Sequence, residues 1–207
     1  FIFCFMDHNN ILGVVLAGGK SLRFGKDKSQ VKLGDRILID YILKEIIDQF
    51  NEILVVANKQ ITFMNSKKIS IINDYKKGLG PLGGVLTAMK WIQNNKKTYN
   101  WISTFPADTP FFTKKELIKF YKNINYTESK LFFMKSRNTR HNIFGLWSID
   151  LINSLEKDLL NNEKKVETWA NKKGVRTIEI DFSNKDPFFN INTIEDYEKA
   201  KEMIKND

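Results

Sequence analysis

The densest chemistry in this 207-residue sequence lies between Leu16 and Lys28, where Gly18, Gly19 and Gly25 are interleaved with Lys20, Arg23, Lys26 and Lys28. Glycines let backbone amides close around phosphate oxygens, because no side chain stands in the way. Lysine and arginine add the positive charge that a polyphosphate needs, arginine through a planar fork that matches phosphate geometry. The segment reads as a loop that grips a nucleoside triphosphate. Two familiar phosphate loops are excluded by spacing. The G-x-x-x-x-G-K-[ST] pattern ends well at Gly19-Lys20-Ser21 but needs glycine where Val14 stands. The dinucleotide fingerprint G-x-G-x-x-G fails because Gly18 and Gly19 are adjacent. An ordinary turn remains compatible with these residues taken alone.

Positioning such a loop requires a strand before it, and Ile11 to Ala17 is a short apolar run of the kind buried in parallel sheets. Apolar residues at Ile39, Ile42, Leu43, Ile46, Ile47 and Phe50 recur at three- and four-residue steps and predict a helix within 37–50. Ile53 to Ala57 predicts a second strand, completing a strand–helix–strand crossover. The alternation continues with strands at 69–72, 101–105, 131–134, 143–147 and 175–182, and helices at 83–91, 116–121, 151–160, 166–171 and 195–204. This predicts an α/β fold: a three-layer Rossmann-like domain with a mostly parallel sheet flanked by helices. Residues 11–207 are expected to form a single domain behind a flexible extension at 1–10.

Composition supports a globular protein. Lys plus Arg number 33 against 24 Asp plus Glu, a net charge of +9 that favours anionic partners. Scattered lysines also simply solvate a surface, so charge does not select among nucleotides, phosphorylated metabolites and nucleic acid. The single cysteine, Cys4, excludes an internal disulfide framework and a cysteine-built metal site, and suits a cytoplasmic setting. No apolar run approaches the length of a transmembrane helix, so no membrane partner is expected.

Leu16-Ala17-Gly18-Gly19-Lys20-Ser21-Leu22-Arg23-Phe24-Gly25-Lys26-Asp27-Lys28 resembles the signature loop of the molybdenum cofactor guanylyltransferases, L-A-G-G-x-S-x-R-x-G-x-D-K, at every fixed position. Further segments carry the resemblance along the chain. Gly80-Pro81-Leu82-Gly83-Gly84 resembles a family segment that lies against the nucleotide, and Asn58 and Asp74 match positions that contact guanine. A carboxylate at Asp74 can accept from the N1 and N2 donors of guanine. Phe105-Pro106-Ala107-Asp108-Thr109-Pro110 resembles the family's P-x-D-x-P motif and implies Asp108 as the magnesium ligand. Magnesium typically takes one or two carboxylates beside phosphate oxygens and waters. Asp108 has the alternative of capping a helix, a role that Thr113 can fill instead.

On the acceptor side, Phe188-Phe189-Asn190-Ile191-Asn192-Thr193 resembles F-x-N-x-N-T-P, with Ile194 where the family has proline. In an extended segment Asn190 and Asn192 share one face. Thr193 is expected to cap the last helix. Arg140-His141-Asn142-Ile143 and Asn161-Asn162-Glu163-Lys164-Lys165 are looser matches to a His-Pro and a Gly-x-x-R/K segment, and imply His141 and Lys165 as pterin contacts together with Asn190 and Asn192.

What the resemblance implies is transfer of GMP from GTP to molybdopterin, with Mg2+ as cofactor and pyrophosphate as product. Leu16, Ala17, Gly18, Gly19, Lys28, Asn58, Asp74, Gly80, Pro81, Leu82 and Asp108 would bind the nucleotide, and Arg23, Lys28 and Asp108 would act in the transfer. Transient contact with molybdoenzymes or their chaperones is a further implication. The rivals are a cytidylyltransferase on the same pterin, a sugar-phosphate nucleotidyltransferase, a nucleotide-binding pseudoenzyme, and a basic nucleic-acid-binding protein. Gly18-Gly19 favours guanine, since cytidylyl relatives more often carry Ala-Ala-Gly. Intact Arg23, Lys28 and Asp108 favour an active enzyme, and aromatics that sit mostly in apolar runs disfavour nucleic acid.

Overall fold

The first apolar run forms β1 (Ile11–Leu16), and its side chains divide between two cores on opposite faces of a sheet. Ile11 and Val15 face α1 (Leu38–Ile46) and α3 (Lys114–Lys122), whereas Leu12 and Val14 face α2 (Gly80–Asn94) and α4 (Ile152–Leu160). β4 (Ile53–Val56) divides in the same way, Ile53 and Val55 to one core, Leu54 and Val56 to the other. That alternation is the strand period of two written into a doubly covered sheet. Gly13 sits under the Phe50 ring, where an added Cβ would come within 2.9 Å of it. The computed structural model describes residues 10–18, 31–58, 61–76 and 78–205.

The remaining described strands are β2 (Lys32–Leu33), β3 (Arg36–Ile37), β5 (Ile69–Ile72), β6 (Trp101–Pro106), β7 (Leu131–Ser136), β8 (Thr139–Ser148) and β9 (Arg176–Glu179), and α5 (Val166–Lys172) and α6 (Ile194–Lys205) complete the helices. The seven-stranded sheet runs β5-β4-β1-β6-β8-β7-β9. Four of its six ladders are parallel; β8 runs antiparallel to both β6 and β7. The fold is therefore the expected Rossmann-like three-layer domain, with an antiparallel hairpin set into the sheet. That hairpin turns through Arg137 and Asn138, both at positive φ (45° and 65°), which suits the tight twist of a two-residue connection. Among the described residues no helix is long and apolar enough to cross a membrane.

Several elements are longer or shorter than the periodicity predicts. The first helix stops at Ile46, yet Ile47 and Phe50 still pack on the core from the turn that follows. The second helix begins at Gly80, three residues before the expected Gly83, because Pro81 falls in its first turn, where a missing N–H costs nothing. Thr113 caps α3 with a reciprocal bond from Glu116, as expected. A small third core of Leu33, Leu38, Ile191 and Ala200 joins the β2–β3 hairpin to the last helix. Asn10 is tied down at its own place, its carbonyl and side-chain oxygens accepting the Asn100 amide at 3.1 and 3.0 Å.

α5 is held to the sheet by Trp169, fully buried and stacked on Trp147 at 5.9 Å. Its indole Nε1 donates to Asp158 at 3.1 Å, and Lys173 and Lys172 approach the same carboxylate at 2.8 and 3.4 Å. The hydrogen bond from Lys173, with Lys172 adding to it, holds the Asp158 carboxyl below its ordinary range against the opposing effect of burial. Asp158→Ala is expected to cost about 2 kcal/mol in urea unfolding at pH 7, by orphaning the buried indole donor and both ammonium groups. The native pKa lies below the unfolded one, so the charged form's contribution is complete above the unfolded value of about 3.9 and fades as pH falls through the native value. Wild type and Asp158→Asn should therefore converge in stability under acid; a gap that stays constant with pH would refute this account.

Candidate active site at the strand ends

From β1 the chain steps to its neighbour β4, on to β5, and then returns to β6 on the other side of β1. Adjacent connections that leave in opposite directions open a crevice beyond the C-terminal ends of β1 and β6, the usual ligand position in such sheets. Leu16 and Pro106 are paired across these two ends, and the Ala107 amide donates to the Leu16 carbonyl at 3.3 Å. On the other flank the Ala17 amide donates to Val56 at 2.9 Å. The start of the glycine loop and Asp108 are thus set side by side by backbone bonds.

Gly18 is exposed at the mouth of this crevice. An added Cβ there would lie 3.4 Å from Asn58 Nδ2 and 3.5 Å from Asp74 Oδ2, and those two atoms are themselves hydrogen-bonded at 2.5 Å. The amide of Asn58 therefore fixes one oxygen of Asp74. The other, Oδ1, faces Gly84, whose added Cβ would sit 3.8 Å from it and 2.8 Å from Leu16 Cδ2. Leu16, Gly18, Asn58, Asp74 and Gly84 converge on one small space. Ala17 stands between them on the chain, and Gly80, Pro81 and Leu82 form the first turn of α2 beside it. Gly80 has φ +63°, the left-handed region that favours glycine. No acidic side chain occupies that first turn and no side chain caps it, so the amides at the start of this fifteen-residue helix suit an anion.

Thr87 is a contributor that the sequence analysis missed. Its hydroxyl accepts the Tyr75 amide at 2.9 Å and donates to the Gly83 carbonyl at 2.8 Å, which pins the turn after Asp74 to the helix. A threonine four residues after a helical glycine, in a buried stripe, was the available signal. Gly19, Arg23 and Lys28 lie outside the described residues. The exit of their loop is anchored: Val31 accepts the Leu38 amide at 2.9 Å, and Tyr197 Oη donates to Lys32 at 2.7 Å.

Asp108 is partly buried just past β6. Its carbonyl accepts the Ile191 amide at 3.0 Å, which brings the Asn190–Asn192 segment against it. Ile191 is buried while Asn190 and Asn192 on either side of it are exposed. Thr193 caps α6, accepting the Asp196 amide at 3.1 Å while the Asp196 carboxylate accepts the amides of Asn192 and Thr193 at 2.9 Å each. His141, on β8, lies flat on Phe188 at 3.8 Å and 10°, with Nε2 2.7 Å from Ser136 Oγ. Burial lowers the pKa of its imidazole, against the raising influence of Asp186 and Glu179. Lys165 stands apart: it is exposed at the start of α5, and among the described residues no hydrogen bond or ion pair brings it to Asp108, His141 or Asn190. A groove of about 1130 Å³ between α1, the start of α3 and residues 181–187 contains none of the expected site residues.

Among the described residues no three His, Cys, Asp or Glu side chains gather as a metal cage. A single half-buried carboxylate at a strand end instead fits a hard divalent cation completed by phosphate oxygens and water.

Residues 13–177 match the model of the MobA-like NTP transferase domain. A molybdenum cofactor guanylyltransferase of Rhizobium rhizogenes is 32% identical over 197 residues, covering 92% of this chain and 90% of its own. Among solved structures, the molybdopterin-guanine dinucleotide biosynthesis protein A of Archaeoglobus fulgidus superposes with a TM-score of 0.74 at 21% identity, over 95% of this chain and all of its own. A Mycobacterium tuberculosis protein solved in complex with manganese superposes at 0.63 and 13% identity, over 94% of this chain and 98% of its own. With a sheet whose switch point joins the glycine-loop strand to the Asp108 strand, and a family model spanning most of its length, the chain belongs to the MobA-like NTP transferase family and is a nucleotidyltransferase.

Proposed function

We propose that this enzyme transfers GMP from GTP to molybdopterin, releasing pyrophosphate and forming the guanine dinucleotide of the pterin. The observation that carries the reading is Asp74, held through Oδ2 by Asn58 with Oδ1 turned toward the glycines of α2. A fixed carboxylate can accept from both N1 and N2 of guanine, whereas cytosine presents acceptors where guanine presents those donors. The resemblance of the loop and the name of the Rhizobium relative support the same substrate.

The acceptor's phosphate is already anionic at neutral pH, so its attack on the α-phosphorus of GTP needs no protein nucleophile. The protein has to align the two phosphates and offset their repulsion. The first turn of α2 and the amides at Gly18 would hold the triphosphate, with Arg23 and Lys28 stabilising charge on the departing pyrophosphate. Asp108 would hold magnesium, which when bound neutralises phosphate charge and polarises the α-phosphorus. The manganese complex of the structural neighbour supports a divalent ion at this fold. Asn190 and Asn192, brought to Asp108 through Ile191, would face the acceptor.

Calorimetry with magnesium should show GTP binding at least about 100-fold more tightly than CTP, the discrimination expected of a site built to hydrogen-bond its ligand. Asp74→Ala should largely abolish that gap; equal affinities in the wild type would point instead to a cytidylyl or sugar-phosphate enzyme. Asp108→Ala should keep the wild-type melting temperature and lower turnover on the order of 10²–10³-fold, the scale of losing one preorganised electrostatic group. Undiminished turnover in that variant would remove Asp108 from the metal site.

A further inference from the structure

We propose that His141 is a positioning residue: the flat face of its ring, not its nitrogens, sets the acceptor half of the active site through Phe188. The inference rests on the reading of Asn190 and Asn192 as acceptor contacts.

Nε2 is engaged with Ser136, whose side chain is buried, so that nitrogen points into the β7–β8 hairpin. Separation and angle place the ring in full face contact with Phe188, closer than any other aromatic pair around it. Phe188 in turn packs against Phe144 and Phe112 at 5.1 and 6.2 Å, and those two rings stack at 4.7 Å. Phe112 stands four residues beyond Asp108, and Phe188 two before Asn190. The cluster therefore underlies both strands of chain that meet at the Ile191 N–H to Asp108 carbonyl bond.

The local backbone is arranged for this contact. Asp186 accepts the Phe188 amide at 2.9 Å, closing a tight turn that presents the ring. On the other side the β7–β8 ladder breaks register between Phe133 and Met134: Gly145 pairs with Phe133 and His141 with Met134, so residues 142–144 bulge. The Thr104 hydroxyl fills the bulge, donating to the Ile143 carbonyl at 2.5 Å. Bulges redirect side chains beside active sites. Here the bulge brings His141 and Phe144 onto the same phenyl ring at 3.8 and 5.1 Å. Ring-on-ring contact holds a loop by area and shape, and an imidazole tied at Nε2 to Ser136 presents its face in one fixed orientation.

The test compares shape with polarity. His141→Ala removes the face, and Phe188→Leu keeps the bulk but removes the partner. His141→Phe with Ser136→Ala keeps a flat ring and removes the hydrogen bond without stranding a hydroxyl. Three readouts are taken: kcat/KM for molybdopterin, GTP affinity, and hydrogen exchange at the Ile191 amide. His141→Ala and Phe188→Leu should lower kcat/KM for molybdopterin about 10–100-fold through misplacement of the segment. GTP affinity should fall less than kcat/KM for molybdopterin, by no more than about threefold, since Gly18, Asn58, Asp74 and the first turn of α2 lie on other elements. Ile191 exchange should accelerate by about 10-fold or more. The double variant should recover to within about threefold of wild type in all three.

A folded double variant as defective toward molybdopterin as His141→Ala, with Ile191 still protected, would show that the nitrogens touch substrate and overturn the proposal. Unchanged Ile191 exchange in both His141→Ala and Phe188→Leu would also overturn it. Wild-type enzyme that fails to use molybdopterin and GTP would count against the proposed reaction, while the exchange measurement would still decide the role of His141.

Discussion

Everything in the donor half depends on the parallel pairing of β1 with β6. Its register puts Leu16 opposite Pro106, and one further backbone bond, from Ala107 to Leu16, carries the pairing past the strand ends. Leu16 and Ala107 are about 90 residues apart in sequence, yet the spacing between them is set by peptide geometry. Side chains on both faces of β1 are fully buried, so a slip of this register would expose one core to the other's partners and is strongly disfavoured. Precision at the phosphate crevice follows from the hydrophobic packing of a sheet covered on both sides.

The acceptor half is held differently. It returns to Asp108 through residues 186–192, a segment outside the sheet, and its fixings are an Asx-type turn, one backbone bond, the third small core and the aromatic cluster around Phe188. These are local contacts, each worth less than a ladder of strand bonds, and they rely on shape. The two halves meet where Ile191 donates to Asp108 and where Phe188 and Phe189 pack against Phe112 and Phe111. In the proposed reading the sheet thus supplies the wall for the nucleotide, and the return segment supplies the one for the acceptor.

This difference explains what was legible in the sequence. The order of strands and helices could be read because burial on both sheet faces leaves continuous apolar runs in β1, β4 and β6, and because α1 and α3 show only one apolar face. Asp74, Asn58 and Gly18 were legible as motif positions, but their mutual contact was not, since they come from three different strand ends. The antiparallel hairpin was hidden because its turn is Arg137-Asn138, without the glycine that usually marks such connections. The partnership of Ser136, His141 and Phe188 arises from a register break, which depends on Thr104 in another strand and leaves no periodic trace. Lys165 belongs to the loosest of the family matches and stands at the start of α5.

The same division accounts for where this chain departs from its family's pattern. Ile194 replaces proline at the start of the last helix, and the helix is still started firmly because Thr193 and Asp196 exchange capping bonds. Asn142 replaces proline after His141, inside the bulge, where strand pairing makes no demand on it. Its side chain is used instead: Oδ1 accepts Arg140 Nε at 2.7 Å, and the same guanidinium reaches Asn171 at 2.7 Å. Asn142 thus holds the Arg140 guanidinium, and it is Arg140 that ties the hairpin to α5. The donor wall has less room for such exchange: a methyl group at Gly84 would come within 2.8 Å of Leu16 Cδ2, and one at Gly18 would be in contact with Asn58 and Asp74. Variation is therefore expected to collect on the acceptor side, where side-chain contacts can be traded for one another while the Ile191–Asp108 bond is kept.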